Sequence, residues 1–171
     1  MERNFTRTIR AGHIKDAPQA HVVVASAEDC AALAALYGLP AILLLRGEFW
    51  LRHERGGVIT AQLHMQAKVT QICVVTLEPF EARIGEQSKL RFVPAQSLPE
   101  SEGMELDAEA LEGPDEIPYA GDVLDLGAAL AEQLALALDP YPRKPGAALP
   151  EEFLGEPENP FAVLKARQGK N

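Results

Sequence analysis

Two cysteines and four histidines are the residues of this chain best suited to act as nucleophiles or metal ligands. Cys73, in the stretch QICVVTLEPFE, would need a second ligand two to four residues away to form a zinc knuckle, but Thr76, Val74 and Val75 do not supply one. As a nucleophile it would need a base beside it. The histidines do not provide that base. His13 and His21 lie in the N-terminal region, His53 lies near the first turn, and His64 lies at a polar position of its segment. We therefore expect neither a zinc site nor a catalytic thiol at Cys73.

Other catalytic patterns are missing from the sequence. It has no glycine-rich phosphate loop, no HExxH motif and no paired-carboxylate motif. Cys30 and Cys73 stand 43 positions apart, which is no disulfide framework and is typical of a reducing cytosol. No apolar run reaches the roughly 18–20 residues of a membrane span, and the N-terminus does not resemble a secretory signal. We expect a cytoplasmic, non-enzymatic protein with no cofactor, no metal, no small-molecule substrate and no membrane contact.

The net charge of −9 comes from one segment. Between residues 95 and 122 there are nine acidic residues and no Lys or Arg, which leaves 16 acids and 16 bases in the rest of the chain. Six Pro and Gly residues interrupt this segment, so it is short of the apolar surface that ordered packing requires. We predict a mobile acidic loop over 95–122. It is either a solvated connector or an arm that mimics phosphate or binds a basic protein.

Apolar and polar residues alternate over three long segments, which is the pattern of strands with one buried face. From residue 59 to residue 69 the odd positions are apolar, and the even positions between them are polar. The buried positions expected in the segments before and after it are Leu43, Leu45, Phe49, Leu51, Phe80, Ala82, Ile84, Leu90 and Phe92. The three segments predict an antiparallel meander, and shorter strands are expected at 3–10 and 21–25.

Matching the buried faces sets the register of the two hairpins, because a shift by one residue would turn every side chain over. A three-residue loop, RGG, pairs Leu51 with Ala61 and Phe49 with Leu63. A two-residue loop would instead set the buried Phe49 against the polar His64. For the second hairpin the same criterion gives the pairs Val69–Ile84 and Leu63–Leu90. Cys73 continues the buried parity, so we expect a buried, reduced thiol whose pKa is raised by burial.

Two helices are predicted on either side of the meander. Ser26 is the expected N-cap of the first, with Asp29 at the capping-box position and Gly38 at its end. Asp125 and Pro140 bound the second, whose apolar stripe consists of Leu126, Leu130, Leu134 and Leu138. Residues 140–171 are expected to form a Pro-rich extended tail with a short C-terminal helix. The sequence thus predicts one α+β domain over 1–171, with an antiparallel sheet that could close into a barrel.

Three blocks of the sequence resemble a known family. They are AKVTQICVVTLEPFE, LDLGAALAEQLALALDPYPRKPG and NPFAVLKARQ. In this order they are similar to the YceD family, the large ribosomal RNA subunit accumulation proteins, and the CVVTLEPF variant resembles the alphaproteobacterial branch. The similarity extends from the early strands to the C-terminus. Many members carry CxxC in the central turn, where this chain has Cys73 and Thr76, and this departure is against an inherited metal or redox role.

The resemblance implies a bacterial protein that supports the accumulation or processing of large-subunit ribosomal RNA. Its partners would be that RNA, a basic ribosomal protein, or both. The polar face of the meander suits RNA, since cations can neutralise phosphates and a ring can stack on an unpaired base. The candidate binding residues are Arg46, Trp50, Arg52, His64, Lys68, Arg83, Lys89 and Arg91 on this face, with Phe161, Lys165 and Arg167 in the tail.

Three alternatives stay open at this point. The polar face could be ordinary solvated surface with Trp50 covered by another element. The protein could be an adaptor that binds other proteins through the acidic loop and the C-terminal tail. A ribonuclease is the third alternative, and the lack of a converging set of His, carboxylate or metal-binding residues disfavours it.

Overall fold

The computed structural model describes residues 5–97 and 115–148, and the alternating segments of the sequence form its longest strands. The two helices are α1 (Ala27–Tyr37) and α2 (Leu126–Ala137). The strands are β1 (Thr8–Arg10), β2 (Gln19–Val24), β3 (Ala41–His53), β4 (Ile59–Ile72), β5 (Pro79–Pro94), β6 (Asp115–Tyr119) and β7 (Val123–Asp125).

Five of these strands form one sheet in the order β2-β3-β4-β5-β6. Strands β2 to β5 are antiparallel neighbours, and β6 pairs with β5 in parallel. A separate two-stranded sheet joins β1 to β7. The large sheet is open, with β2 and β6 at its edges, so it does not close into the barrel that the sequence allowed. The predicted α+β class and the central meander are confirmed.

The first hairpin has the predicted register. Phe49 pairs with Leu63, Leu51 pairs with Ala61, and the Glu54 N–H donates to the Val58 carbonyl oxygen at 2.7 Å. The three-residue loop Arg55–Gly57 needs the two glycines, because Gly56 and Gly57 have φ angles of +76° and +77°.

The second hairpin differs from the prediction by two residues. Ala61, not Leu63, lies opposite Leu90, and Ala82, not Ile84, lies opposite Val69. The faces are unchanged because a shift of two preserves the side-chain parity, which is why matching faces could not detect it. The register is set instead by the turn at 74–77, where the Cys73 N–H donates to the Glu78 carbonyl oxygen at 2.9 Å.

A bulge in β3 changes one predicted core position. The pairing of β3 with β4 shifts between Ile42 and Leu44, so Ile42 is buried while Leu43 and Leu44 are both exposed. The prediction that Leu43 faces the core was therefore wrong, since the extra residue of a bulge interrupts the alternation. From Leu45 onward β3 follows the predicted parity.

The prediction of a mobile loop over 95–122 was wrong for its ends. Residues 95–97 form a 3-10 turn, and 115–119 form strand β6, in which Ile117 pairs with Phe92. The Tyr119 hydroxyl donates to the Gly57 carbonyl oxygen at 2.6 Å and ties β6 to the first hairpin. Apolar packing of Ile117 and Tyr119 on the core outweighs the acidic composition here. Residues 98–114 lie outside the described part of the chain.

Both helices begin at the predicted caps. The Ser26 hydroxyl accepts the Asp29 N–H, the Asp29 carboxylate accepts the Ser26 N–H, and Gly38 ends α1 with a φ of +65°. The Asp125 carboxylate accepts N–H groups from Gly127 and Ala128 in the first turn of α2, and a third from Arg7 of the N-terminal segment. These contacts fix the N-terminal segment to the start of α2.

The two helices cover one face of the sheet and close the core. Leu126, Leu130 and Leu134 of α2 have no exposed surface and belong to the same cluster as Phe49 and Leu63. On the opposite side of α2, Glu132 is exposed and Leu136 is 69% exposed. Within the described residues, no helix is long and apolar enough to span a membrane.

Candidate nucleic-acid interface

The opposite face of the sheet, here called the outer face, collects the predicted binding residues. It is formed by the even positions of β2, β3 from Leu44, and β4, together with the odd positions of β5. The pairing registers place eight candidates on it: Arg46, Trp50, Arg52, His64, Lys68, Arg83, Lys89 and Arg91. The other three candidates, Phe161, Lys165 and Arg167, lie outside the described residues.

Cross-strand rows determine which of these side chains are neighbours. Trp50 lies opposite Gln62, and Gln62 lies opposite Lys89, so one row runs across β3, β4 and β5. A second row at the far end of the face brings Lys68 opposite Arg83. Directly opposite residues on one face have Cβ atoms about 5 Å apart, so each row acts as a contiguous surface.

Four of the six cations on the outer face are paired with carboxylates. The closest pair, Lys68–Glu81, has a nitrogen–oxygen distance of 2.7 Å, and Arg46–Glu48 is the longest at 3.9 Å. The other two pairs, both at 2.8 Å, are Arg52–Glu54 and Arg91–Glu116. The hydrogen bond from Arg52 lowers the pKa of the Glu54 carboxyl. These pairs make the face less basic than its Lys and Arg content alone indicates.

Arg83 and Lys89 differ from the other four cations. Neither forms an ion pair or a side-chain hydrogen bond with any residue of 5–97 or 115–148, and both are exposed. Arg83 stands opposite Lys68, and the resulting repulsion between like charges is relieved in part by Glu81. An anionic ligand would therefore meet two cations on β5 that no described residue neutralises.

Trp50 is exposed at one side of a groove on the outer face. Its side chain is 43% accessible, so the interpretation in which another element covers the ring is wrong. The groove has a volume of about 430 Å³, and its walls include Pro18, Gln62 and Lys89. Volumes from about 300 Å³ upward are typical of small-ligand sites.

His64 is exposed near the middle of the outer face, with Glu48 on one side and Gln87 on the other. In the described ranges, no group of three or more His, Cys, Asp or Glu residues could hold a metal ion. The surroundings of His64 are polar, and they offer hydrogen-bonding groups along the face.

Cys73 is buried as predicted, but its pKa is not raised. The thiol has no exposed surface and lies beneath the hairpin turn and the segment that follows α2. Burial raises the pKa, but hydrogen bonds from the Thr76 hydroxyl and from the N–H groups of Lys144 and Thr76 outweigh it and lower the pKa to about 7. Cys30 is also a free, buried thiol, and burial raises its pKa.

Sequence reasoning missed the residues that complete the groove and the partner of Arg91. Thr60 and Gln62 share the even parity of His64, so the alternation of β4 could have identified them. Pro18 precedes β2, and Glu116 reaches Arg91 only because β6 adds to the edge of β5. No short-range pattern indicates either contact.

Comparison with known proteins gives one match. The sequence model of the family described as "Large ribosomal RNA subunit accumulation protein YceD" matches residues 61–166. The match begins within β4, so it does not include the early strands to which the resemblance was expected to extend. No curated protein matches the chain, and no solved structure does. The matched residues include His64, Lys68, Arg83, Lys89 and Arg91. Because the match covers more than half of the chain, the chain belongs to the YceD family.

Proposed function

We propose that the protein supports the accumulation of large-subunit ribosomal RNA in the bacterial cytoplasm by binding RNA, without catalysing a reaction. Membership of the YceD family ties the chain to large-subunit ribosome biogenesis. The RNA-binding surface in this proposal is the outer face of the sheet.

Two exposed cations that no described residue neutralises, on the same face as an exposed tryptophan, carry this proposal. Arg83 and Lys89 project from β5, and Lys89 shares a cross-strand row with Trp50. Phosphate neutralisation by Lys and Arg supplies most of the sequence-independent affinity of RNA-binding proteins. An aromatic side chain on an open sheet adds a stacking surface for a base.

Reversing the two unpaired charges tests the proposal. The variant Arg83→Glu with Lys89→Glu should weaken binding to fragments of large-subunit ribosomal RNA about tenfold or more at moderate salt, because two phosphate contacts become repulsive. Arg91 is a poorer choice, since Arg91→Glu would place a new carboxylate beside Glu116 and disturb β6. Electrophoretic mobility shifts over a salt series would measure the effect.

A matched control is Arg10→Glu with Lys15→Glu. It changes the net charge equally, but its residues lie in β1 and between β1 and β2, and neither lines the groove beside Trp50. We expect the control to retain RNA binding and both variants to keep the wild-type unfolding midpoint. An equal loss of RNA affinity in the two variants would mean that binding depends on net charge alone. Unchanged RNA binding in the outer-face variant would reject the proposal and leave the adaptor role as the candidate.

A further inference from the structure

We propose that the groove beside Trp50 holds one unpaired nucleotide, so that the protein selects single-stranded over double-stranded RNA. This inference rests on the RNA-binding role proposed above and assigns a substrate class to one part of the outer face. The base would stack on the indole ring, and the adjacent phosphate would lie against Lys89.

The concave surface beside Trp50 is the first observation that supports a single base. The ring of Trp50 lies in the wall of a concavity of about 430 Å³ and not on a flat surface. Bases in a duplex are stacked inside the helix and cannot reach a ring in such a recess. Only a base turned away from its own strand can enter it.

The polar groups of the groove are the second observation. Gln62 lies between Trp50 and Lys89 in the cross-strand row, and its side chain makes no hydrogen bond with any described residue. A glutamine amide offers two donors and an acceptor, which match the polar edge of a base. The row therefore presents a stacking surface, an amide and a cation side by side, and neither polar group has a side-chain partner within 5–97 or 115–148.

The surrounding charges favour RNA over an apolar peptide in this groove. Its far end is lined by Arg52, Glu54 and Arg91, and Lys89 stands at its side. Arg52 and Arg91 are paired with Glu54 and Glu116, so Lys89 is the cation of the groove that no described residue neutralises. Exposed apolar residues of the same face, Val22, Val24 and Leu44, lie toward β2 and do not line the groove. A backbone that carries one negative charge per nucleotide fits this arrangement of charges.

Trp50 is the only tryptophan of the chain, so its fluorescence reports on the groove alone. We expect saturable quenching when the wild-type protein is titrated with RNA oligomers of about eight nucleotides, uridine or adenosine, and much weaker quenching with a duplex of equal length. Labelled oligomers in an anisotropy assay would give the affinities of the same samples.

Two substitutions refine the test. Trp50→Leu should weaken single-strand binding about 5- to 150-fold, and Trp50→Phe should lose less because it keeps a ring. Single-strand binding without quenching, or equal affinity for the duplex, would overturn the groove while the RNA-binding role survives. No RNA binding by any probe would overturn both. Saturable quenching of Trp50 fluorescence by a basic ribosomal protein but not by RNA would show that the groove binds protein, and would overturn the inference.

Discussion

The backbone N–H of Lys144 donates to the Sγ atom of Cys73 at 3.3 Å, and the Thr76 N–H donates to the same sulfur at 3.4 Å. The Val74 N–H donates in turn to the Pro142 carbonyl oxygen at 2.9 Å, and the Lys144 ammonium pairs with Glu78 at 2.9 Å. The segment after α2 is therefore fixed to the second hairpin turn by three contacts, one of which ends on the Cys73 thiol. N–H groups directed at sulfur favour the thiolate form.

Ionisation of Cys73 should make stability depend on pH. Its folded-state pKa of about 7 lies below the ordinary value of 9.0, so the thiolate stabilises the folded state fully above about pH 9. That contribution is lost as the pH falls through about 7. We expect the stability gap between the wild type and Cys73→Ser, measured by urea unfolding, to widen from pH 6 to pH 9.

Cys30→Ala is the control for this effect, because burial holds the pKa of Cys30 above its ordinary value of 9.0. That substitution should lower stability by the same amount from pH 6 to about pH 8, and the gap should narrow slightly toward pH 9, where the thiol ionises first in the unfolded chain. A constant gap for Cys73→Ser over the same range would contradict the lowered pKa.

Leu77 has a φ of +58° and is 76% exposed at the tip of the second hairpin turn. A left-handed conformation is unfavourable for leucine, and little packing offsets its cost here. Leu77→Asn should raise the free energy of unfolding by about 0.5–1 kcal/mol, since asparagine tolerates this conformation. Leu77→Val should lower it, because branched side chains tolerate the conformation least. Thermal denaturation of the two variants would measure both signs, and equal shifts would exclude relief of strain.

Gly47 lies in β3 directly beneath α2. A Cβ atom at this position would come within 2.7 Å of Leu130 Cδ1 and 3.1 Å of Leu63 Cδ1. Gly47→Ala should therefore destabilise the protein by about 1–3 kcal/mol through overpacking. Gly85→Ala, on the outer face of β5 with no atom within 4 Å, should instead stabilise it by about 0.5–1 kcal/mol. A stabilising Gly47→Ala would mean that α2 does not pack this closely on the sheet.

Asp125 joins the N-cap of α2 to the N-terminal segment. Its carboxylate accepts three N–H groups, from Gly127, Ala128 and Arg7. Asp125→Ala should cost about 1–3 kcal/mol of unfolding free energy, because it removes a helix cap and leaves a long-range donor unpaired. Asp125→Asn retains an acceptor oxygen and should cost less than half as much. Chemical denaturation of both variants would test this order, and equal losses would point to charge and not to hydrogen bonding.

The parts of the fold that depend on local patterns were predictable from the sequence. The alternation of β4 located the outer face, and the Ser26 and Asp125 caps located both helices. The eight outer-face candidates followed from parity alone. Parity cannot distinguish a shift of two residues, so the register of β4 with β5 could not be predicted in this way.

The remaining features depend on residues far apart in the sequence. Ile117 and Tyr119 become half-buried only because β6 pairs with β5. Their neighbours in the sequence are acidic, so composition alone did not predict this strand. Glu116 can form its ion pair with Arg91 only because β6 lies beside β5. The pKa of Cys73 was wrongly predicted because the folded turn directs the Thr76 hydroxyl at the sulfur, and because a second donor, the Lys144 N–H, lies 71 positions further along the chain.

The pairing of β1 with β7 affects how the protein is made. The Arg7 N–H bonds to a carboxylate 118 positions later, so this bond cannot form until Asp125 has been synthesised. At translation rates of roughly 5–20 residues per second, that wait is about 6–24 seconds, followed by passage of the later residues through the exit tunnel. During that interval Phe5 and Ile9 lack the α2 and β7 surfaces that cover them in the finished fold. The nascent chain therefore carries Phe5 and Ile9 without these covering surfaces until β7 and α2 have left the ribosome.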